Sequence, residues 1–180
     1  MGKKRVMPIC DGVQYDSQEE LDFKYFLDEL NIPYIYHPDS LILAESVKIP
    51  VTVQLKTKTI TVYKTLLKGC SYEADFLIKE SDVPKFIKNN IDWRASDGNY
   101  YIDVKGVYSQ NADANRFSLV RKWIYQRHSI FINKVIPVNL FISTFCPEKV
   151  RYTKLGKVRK PYLKALTKEE FIARCVNESN

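Results

Sequence analysis

Two short apolar stretches carry carboxylates where a β-sheet would bury them, and this constrains the fold more than any other feature. One is Tyr72-Glu73-Ala74-Asp75-Phe76-Leu77-Ile78, and the other is Tyr100-Tyr101-Ile102-Asp103-Val104-Lys105-Gly106. Both have the β-branched and aromatic content of strands. An unpaired carboxylate is costly to bury, so a strand that keeps one needs a counter-charge, a donor or a metal ion nearby. Lys105 lies two residues after Asp103 and so projects from the same face of its strand.

The rest of the chain supplies the elements around these strands. Ser17 to Leu30 is predicted as a helix. Ser17 is its N-cap, Glu20 completes a capping box, and Phe23, Phe26, Leu27 and Leu30 form the buried face. Pro33 stops it. Short strands are expected at 34–37 and 41–43, and a longer alternating one at 57–67. Residues 79–98 form an excursion with one helical turn. A second long helix spans 111–128, with Phe117, Val120, Trp123, Ile124 and Arg127 along one face. A strand is expected over Val138–Ser143, after the break at Pro137. A capping box at Thr167–Glu170 opens a terminal helix. Helix, strands, helix, strand is the order of a mixed α/β domain with a central sheet and helices on its faces.

The chain of 180 residues can bury a real core as one domain. No apolar run approaches the ~18 residues that would span a bilayer, and no signal-peptide core follows Lys3-Lys4-Arg5, so neither a membrane nor secretion is expected. The four cysteines are scattered without a C-x-x-C pair, which speaks against a zinc ribbon and for a reducing cytoplasm. His37 and His128 lack ligand-spaced companions, and no phosphate-binding glycine loop is present. Charge is uneven: residues 1–115 carry 14 basic and 17 acidic side chains, residues 116–180 carry 14 and 4. A basic half suits a polyanion, although a solvated surface has the same composition.

Glu20, Asp75 and Asp103 are the candidate oxygen ligands of a hard divalent cation, with Lys105 beside it to orient a water or offset charge on a phosphate. Each has a plainer alternative. Glu20 is accounted for by the capping box, Asp103 and Lys105 by a surface ion pair, and Asp75 by a strand end with Glu73 as the ligand instead.

The order of acid on an early helix, acid on a strand, D-x-K on the next strand and then a basic helix resembles the PD-(D/E)XK nuclease superfamily. Within it, the segments 11–20, His37-Pro38, Tyr72–Phe76, Ile102–Gly106 and Phe117–Trp123 are similar to those of phage Holliday-junction resolvase-like endonucleases, over roughly residues 11–142. That resemblance implies a restriction-endonuclease-like α/β fold, a central mixed sheet flanked by helices. Residues 1–14 are then a lead-in, 15–145 the nuclease domain, and 146–180 a basic C-terminal arm with a short helix. It implies Mg²⁺-dependent hydrolysis of DNA phosphodiesters, with Mn²⁺ as a substitute metal, by Glu20, Asp75, Asp103 and Lys105. Branched DNA would be the substrate, a homodimer the working form, and a phage or prophage in a bacterial cell the source. Candidate DNA contacts are Arg116, Arg121, Lys122 and Arg127 on the helix, and Lys154, Lys157, Arg159 and Lys160 in the arm, where Tyr152 and Tyr162 could stack on bases. Trp123 and Tyr125 read better as packing residues. Two other readings remain open: a strand-cutting subunit of a transposase or restriction system, and a non-catalytic DNA-binding module on the nuclease fold.

Overall fold

The strand that begins just after Asp75 pairs with the strand that carries Asp103 at the centre of the fold. The computed structural model describes residues 7–107 and 111–177, with side chains at 111–114 left aside. A small hairpin of β1 (Ile9–Cys10) and β2 (Val13–Gln14) leads into helix α1 (Gln18–Glu29). Then come β3 (Ile35–Tyr36), β4 (Leu41–Ala44), β5 (Val47–Gln54), β6 (Thr59–Leu67), β7 (Cys70–Tyr72) and β8 (Phe76–Lys79). A 3-10 turn and the single helical turn α2 (Lys85–Lys88) occupy the excursion before β9 (Asn99–Val104). The chain continues through α3 (Asn111–His128), β10 (Ile132–Val135), α4 (Pro137–Ser143), α5 (Glu148–Arg151) and α6 (Lys168–Asn177).

The central sheet has the order β10-β9-β8-β3. β9 runs antiparallel to β8, with Phe76 opposite Ile102, and parallel to β10, with Asp103 opposite Lys134. β3 completes the far edge, antiparallel to β8. A parallel neighbour requires a crossover, and α3 provides it between β9 and β10. The domain is therefore mixed α/β, as the order of elements implies.

Strand alternation sorts the two sides of the sheet. Tyr100, Ile102 and Val104 enter the main core with Phe23, Phe26 and Leu27 of α1 and Phe76 and Ile78 of β8. On the opposite side, Tyr101 meets a smaller core of Leu43, Ile124, Ile130 and Ile132, onto which Phe117 and Val120 of α3 pack. Asp103 and Lys105 share parity with Tyr101, so their side chains stand on the α3 side. Ser17 caps α1 as its sequence requires, accepting a hydrogen bond from the Glu20 amide at 3.1 Å.

Three expectations need correction. The run Tyr72–Ile78 is not one strand: it breaks over residues 73–75, so that Tyr72 ends β7, paired with β4, Phe76 begins β8 in the central sheet, and Asp75 sits in the bend between them. Val138–Ser143 is a helix, not a strand, and the fourth sheet strand is Ile132–Val135 just before it. Pro137 occupies the first helical turn, where its fixed φ is preorganised and its missing N–H costs nothing. Leu140 and Phe141 are buried while Ile142 is 53% exposed, a pattern set by helical packing rather than alternation. The helix-face assignment also fails for Trp123, which is 40% exposed.

The C-terminal segment is packed, not loose. Val150, Tyr162, Ala165, Phe171 and Cys175 join the main core. Phe145 stacks on Phe26 with centroids 4.9 Å apart and meets Phe171 at 6.0 Å. Lys168 Nζ donates to the Glu29 carbonyl at the end of α1. Lys149, Lys154, Lys157, Lys160 and Lys164 form the outer surface of a segment whose apolar residues complete the core, whereas the Arg151 guanidinium is buried at Nε and Nη1.

Candidate active site

Backbone hydrogen bonds place the first carboxylate. The Asp75 amide donates to the Ile102 carbonyl at 3.0 Å, and the Asp75 carbonyl accepts from the His37 amide at 3.0 Å. The residue is thus fixed where β8 begins, between β9 and the exit of β3. Its Oδ2 accepts from the Val104 amide at 2.6 Å, across the sheet. Burial, then the neighbouring Asp103 carboxylate, pushes the Asp75 acid up to about 7, against the opposing pull of Lys105 and the Val104 N–H. Two carboxylates drawn out of water side by side resist double ionisation.

Asp103 is held from within β9 and its side chain is 4% exposed. Its Oδ1 accepts from the Tyr72 hydroxyl at 2.6 Å. Burial and the same carboxylate push the Tyr72 phenol far above its ordinary range, so it stays a donor. Asp103 Oδ2, which is buried, lies 2.6 Å from Lys105 Nζ as an ion pair, and no other donor among the described residues meets it. The Lys105 amide is tied to the Val135 carbonyl at 2.8 Å, which fixes the strand exit. Its ammonium is partly open to solvent and stands 5.9 Å from the centre of the Phe117 ring on α3. The structure therefore brings together Asp75, Asp103 and Lys105.

Glu20 occupies the adjoining corner. Its Oε1 accepts from the Ser17 hydroxyl at 2.7 Å, and its Oε2 accepts from the Tyr36 hydroxyl at 2.7 Å and the Asp16 amide at 3.1 Å. Ser17 caps the helix as expected, the Glu20 side chain answers through the Ser17 hydroxyl and the Asp16 amide, and Glu20 is nonetheless close enough to raise the Asp75 acid. Among the described residues, Glu20 converges with Asp16 and His37, one ligand atom from each lying within 4.8 Å of the others, rather than with Asp75 and Asp103. His37 Nδ1 is 3.4 Å from Glu73 Oε1.

His37 has no companion in the sequence; the fold supplies Asp16 and Glu20 from the start of α1 and Glu73 from the end of β7. Tyr72 and Tyr36 carry no sequence signal either, since nothing local marks a tyrosine that donates to a carboxylate 31 or 16 residues away. Gly106 shows a further neighbour: a Cβ there would meet Glu19 Oε1 at 3.1 Å, so the missing side chain admits Glu19 to the exit of β9.

The candidate cationic contacts divide by what already holds them. Arg116 and Lys122 are exposed on α3, as are Lys154, Lys157 and Lys160 in the C-terminal segment. Arg127 donates to the Leu43 carbonyl at 2.9 Å, fastening α3 to β4. Arg121 stacks over Phe117 and Phe131, at 5.8 and 5.2 Å from their centres. Arg159 is half-buried. Tyr162 is buried in the core and is not a base platform, whereas Tyr152 is exposed.

Set against known proteins, the chain matches no family model, no curated protein and no solved structure. No helix among the described residues is long and apolar enough to cross a membrane. The class of site rests on its own geometry: a buried carboxylate, Asp103, and a half-buried one, Asp75, beside a partly open lysine.

Proposed function

We propose that this chain is a metal-dependent endodeoxyribonuclease that hydrolyses phosphodiester bonds and is selective for branched DNA such as four-way junctions. The observation that carries the reading is the Asp103 Oδ2 oxygen, buried, met among the described residues by the partly open Lys105 ammonium at 2.6 Å, and next to the second carboxylate of Asp75. A hard divalent cation suits such an oxygen, and the all-oxygen donor set fits Mg²⁺ or Mn²⁺. Asp75 and Asp103 would hold the ion, with the corner of Glu20, Asp16 and His37 adjoining. Bound there, it would polarise a phosphoryl oxygen and lower the pKa of a water.

The protein's own groups have separable tasks. The Val104 amide and the Tyr72 hydroxyl orient the two carboxylates through one oxygen each. Lys105, bound through its backbone to β10, holds a positive charge at the mouth of the site, where it can orient a water or offset charge on the scissile phosphate. Arg116, Lys122, Lys154, Lys157 and Lys160 offer exposed charge to phosphates. Paired nicks in a two-fold-symmetric junction call for two sites, which a C2 homodimer provides.

The test is cleavage of a labelled four-way junction beside linear duplex of the same sequence, with Mg²⁺ or EDTA, using Lys105→Ala as control. Metal-dependent nicks in the junction that the variant lacks are expected. Equal cutting of both substrates removes the junction selectivity and keeps the nuclease. Binding without cutting overturns the nuclease reading in favour of a binding module, or of a subunit that needs a partner.

A further inference from the structure

The sequence between β4 and β7 forms a hairpin with no place in either core. β5 and β6 pair over eight positions, from Val47 opposite Leu67 to Gln54 opposite Thr59, with a bulge between Val47 and Lys48. None of the residues from Val47 to Leu67 is buried. At ~3.3 Å per residue, the paired strands extend about 26 Å. An isolated two-stranded ribbon is marginal in water, so a long one left uncovered needs some other use.

Its chemistry is one-sided in charge. Residues 46–71 contain Lys48, Lys56, Lys58, Lys64 and Lys68 and no acidic residue. All five lysines are exposed, and Lys56 and Lys58 form the tip, closed by the Leu55 amide donating to the Lys58 carbonyl at 2.8 Å. Strand alternation puts Ile49, Val51, Val53, Ile60 and Val62 on one face, where the cross-strand pairs Val51–Val62 and Val53–Ile60 stiffen the ribbon. The other face carries Thr52, Thr61, Thr65 and Tyr63, the last 73% exposed. Hydroxyls and ammonium groups on a slender support are phosphate-contacting groups.

We infer that the β5–β6 hairpin is a duplex-binding finger that lies in a groove of nucleic acid and sets the position of the substrate at Asp103. A two-stranded ribbon fits the major groove. A second copy of the chain is the poorer occupant by charge, since its hairpin would bring five more lysines against these with no acid in the segment to meet them. The hairpin also continues into the site: β7 follows it and ends at Tyr72, whose hydroxyl donates to Asp103. This inference rests on the DNA reading above, and it concerns binding rather than the chemical step.

The experiment measures binding of labelled duplex by fluorescence anisotropy in EDTA, from 50 to 200 mM salt. It compares the full chain with a variant carrying Lys→Gln at positions 48, 56, 58, 64 and 68, and with Tyr63→Ala. All six positions are exposed, so unchanged thermal melts are expected and are checked first. Each lost phosphate contact lowers the slope of log K against log salt by ~0.9, so a slope smaller by about 2–4 and an affinity at least tenfold weaker are expected for the lysine variant. An unchanged slope overturns the inference. If the wild type cuts DNA with Mg²⁺ while the slopes agree, the finger falls and the nuclease stands. If the slope drops but no substrate is ever cut, the finger stands and the nuclease falls. If the wild type binds no DNA, both fall. Sedimentation without DNA covers the remaining occupant: a dimer that Val51→Lys dissociates, with DNA binding intact, assigns the hairpin to a second copy.

Discussion

Replacing Asp75 by asparagine should stabilise the metal-free protein at pH 8. The acid of Asp75 is pushed from an ordinary 3.8 up to about 7 in the fold, chiefly by burial and then by Asp103. Between about pH 4 and pH 7 the folded chain therefore keeps a proton that the unfolded chain has lost. Stability falls as pH rises across that window and levels off above it. At ~1.4 kcal/mol for each pH unit of that window the ceiling is about 4 kcal/mol, and we expect about 2–4 kcal/mol. The asparagine carries no charge, and its amide oxygen can still accept from the Val104 N–H. The assay is urea denaturation in EDTA from pH 4 to 8.5. The two proteins should agree near pH 4, and Asp75→Asn should be the more stable by that margin at pH 8. A smaller fall should persist in both from Asp22, whose acid burial pushes up to about 6. If Asp75→Asn keeps the full wild-type fall, or is less stable at pH 8, the electrostatic account of the carboxylate pair is wrong. Added Mg²⁺ should recover stability at pH 8 in the wild type and much less in the variant, because only the former has two carboxylates to neutralise.

Glu20→Gln separates cap from ligand, because glutamine also completes a capping box. Its stability should stay within about 1 kcal/mol of wild type by urea denaturation, while junction cleavage falls at least tenfold; undiminished cleavage would leave Glu20 as a cap alone. Tyr72→Phe removes the donor to Asp103 Oδ1 and should cost about 1–3 kcal/mol in the same assay, since a buried charged acceptor loses its partner. A variant as stable as wild type would show that this bond contributes nothing net. Phe171→Ala should destabilise by about 3–5 kcal/mol, as expected for a core phenylalanine. A loss below 1 kcal/mol would make residues 146–177 a dispensable arm.

Much of the central structure was legible because it depends on local pattern. Ser17 and Glu20 specify a helix start through contacts within one turn, and the spacing of Phe23, Phe26, Leu27 and Leu30 marks the face that is buried. The strand around Asp103 announces itself by alternation, and D-x-K places two side chains on one face by strand geometry alone, whereas the break at residues 73–75 that sets Asp75 between two sheets has no local mark. Val138–Ser143 was misread because a short apolar run has no decisive period. What decides it is Pro137 in the first helical turn and the packing of Phe141 on Phe26 and Tyr162. Only the second strand of the hairpin carries a marked alternation, and its five lysines vanish in the net charge of residues 1–115, where acidic side chains elsewhere outnumber them.

The sequence by itself determined the periodicities, the helix caps, the shared face of Asp103 and Lys105, and the excess of positive charge toward the C-terminus. Each depends on spacings of a few residues or on composition. The tertiary structure decided which groups meet: Tyr72 with Asp103, the Val104 amide with Asp75, and Glu20 with Asp16 and His37. It also decided that the basic segment closes the core, through Tyr162 and Phe171. Contacts between distant segments are selected by the burial of the whole chain at once, and no local window of residues contains that sum.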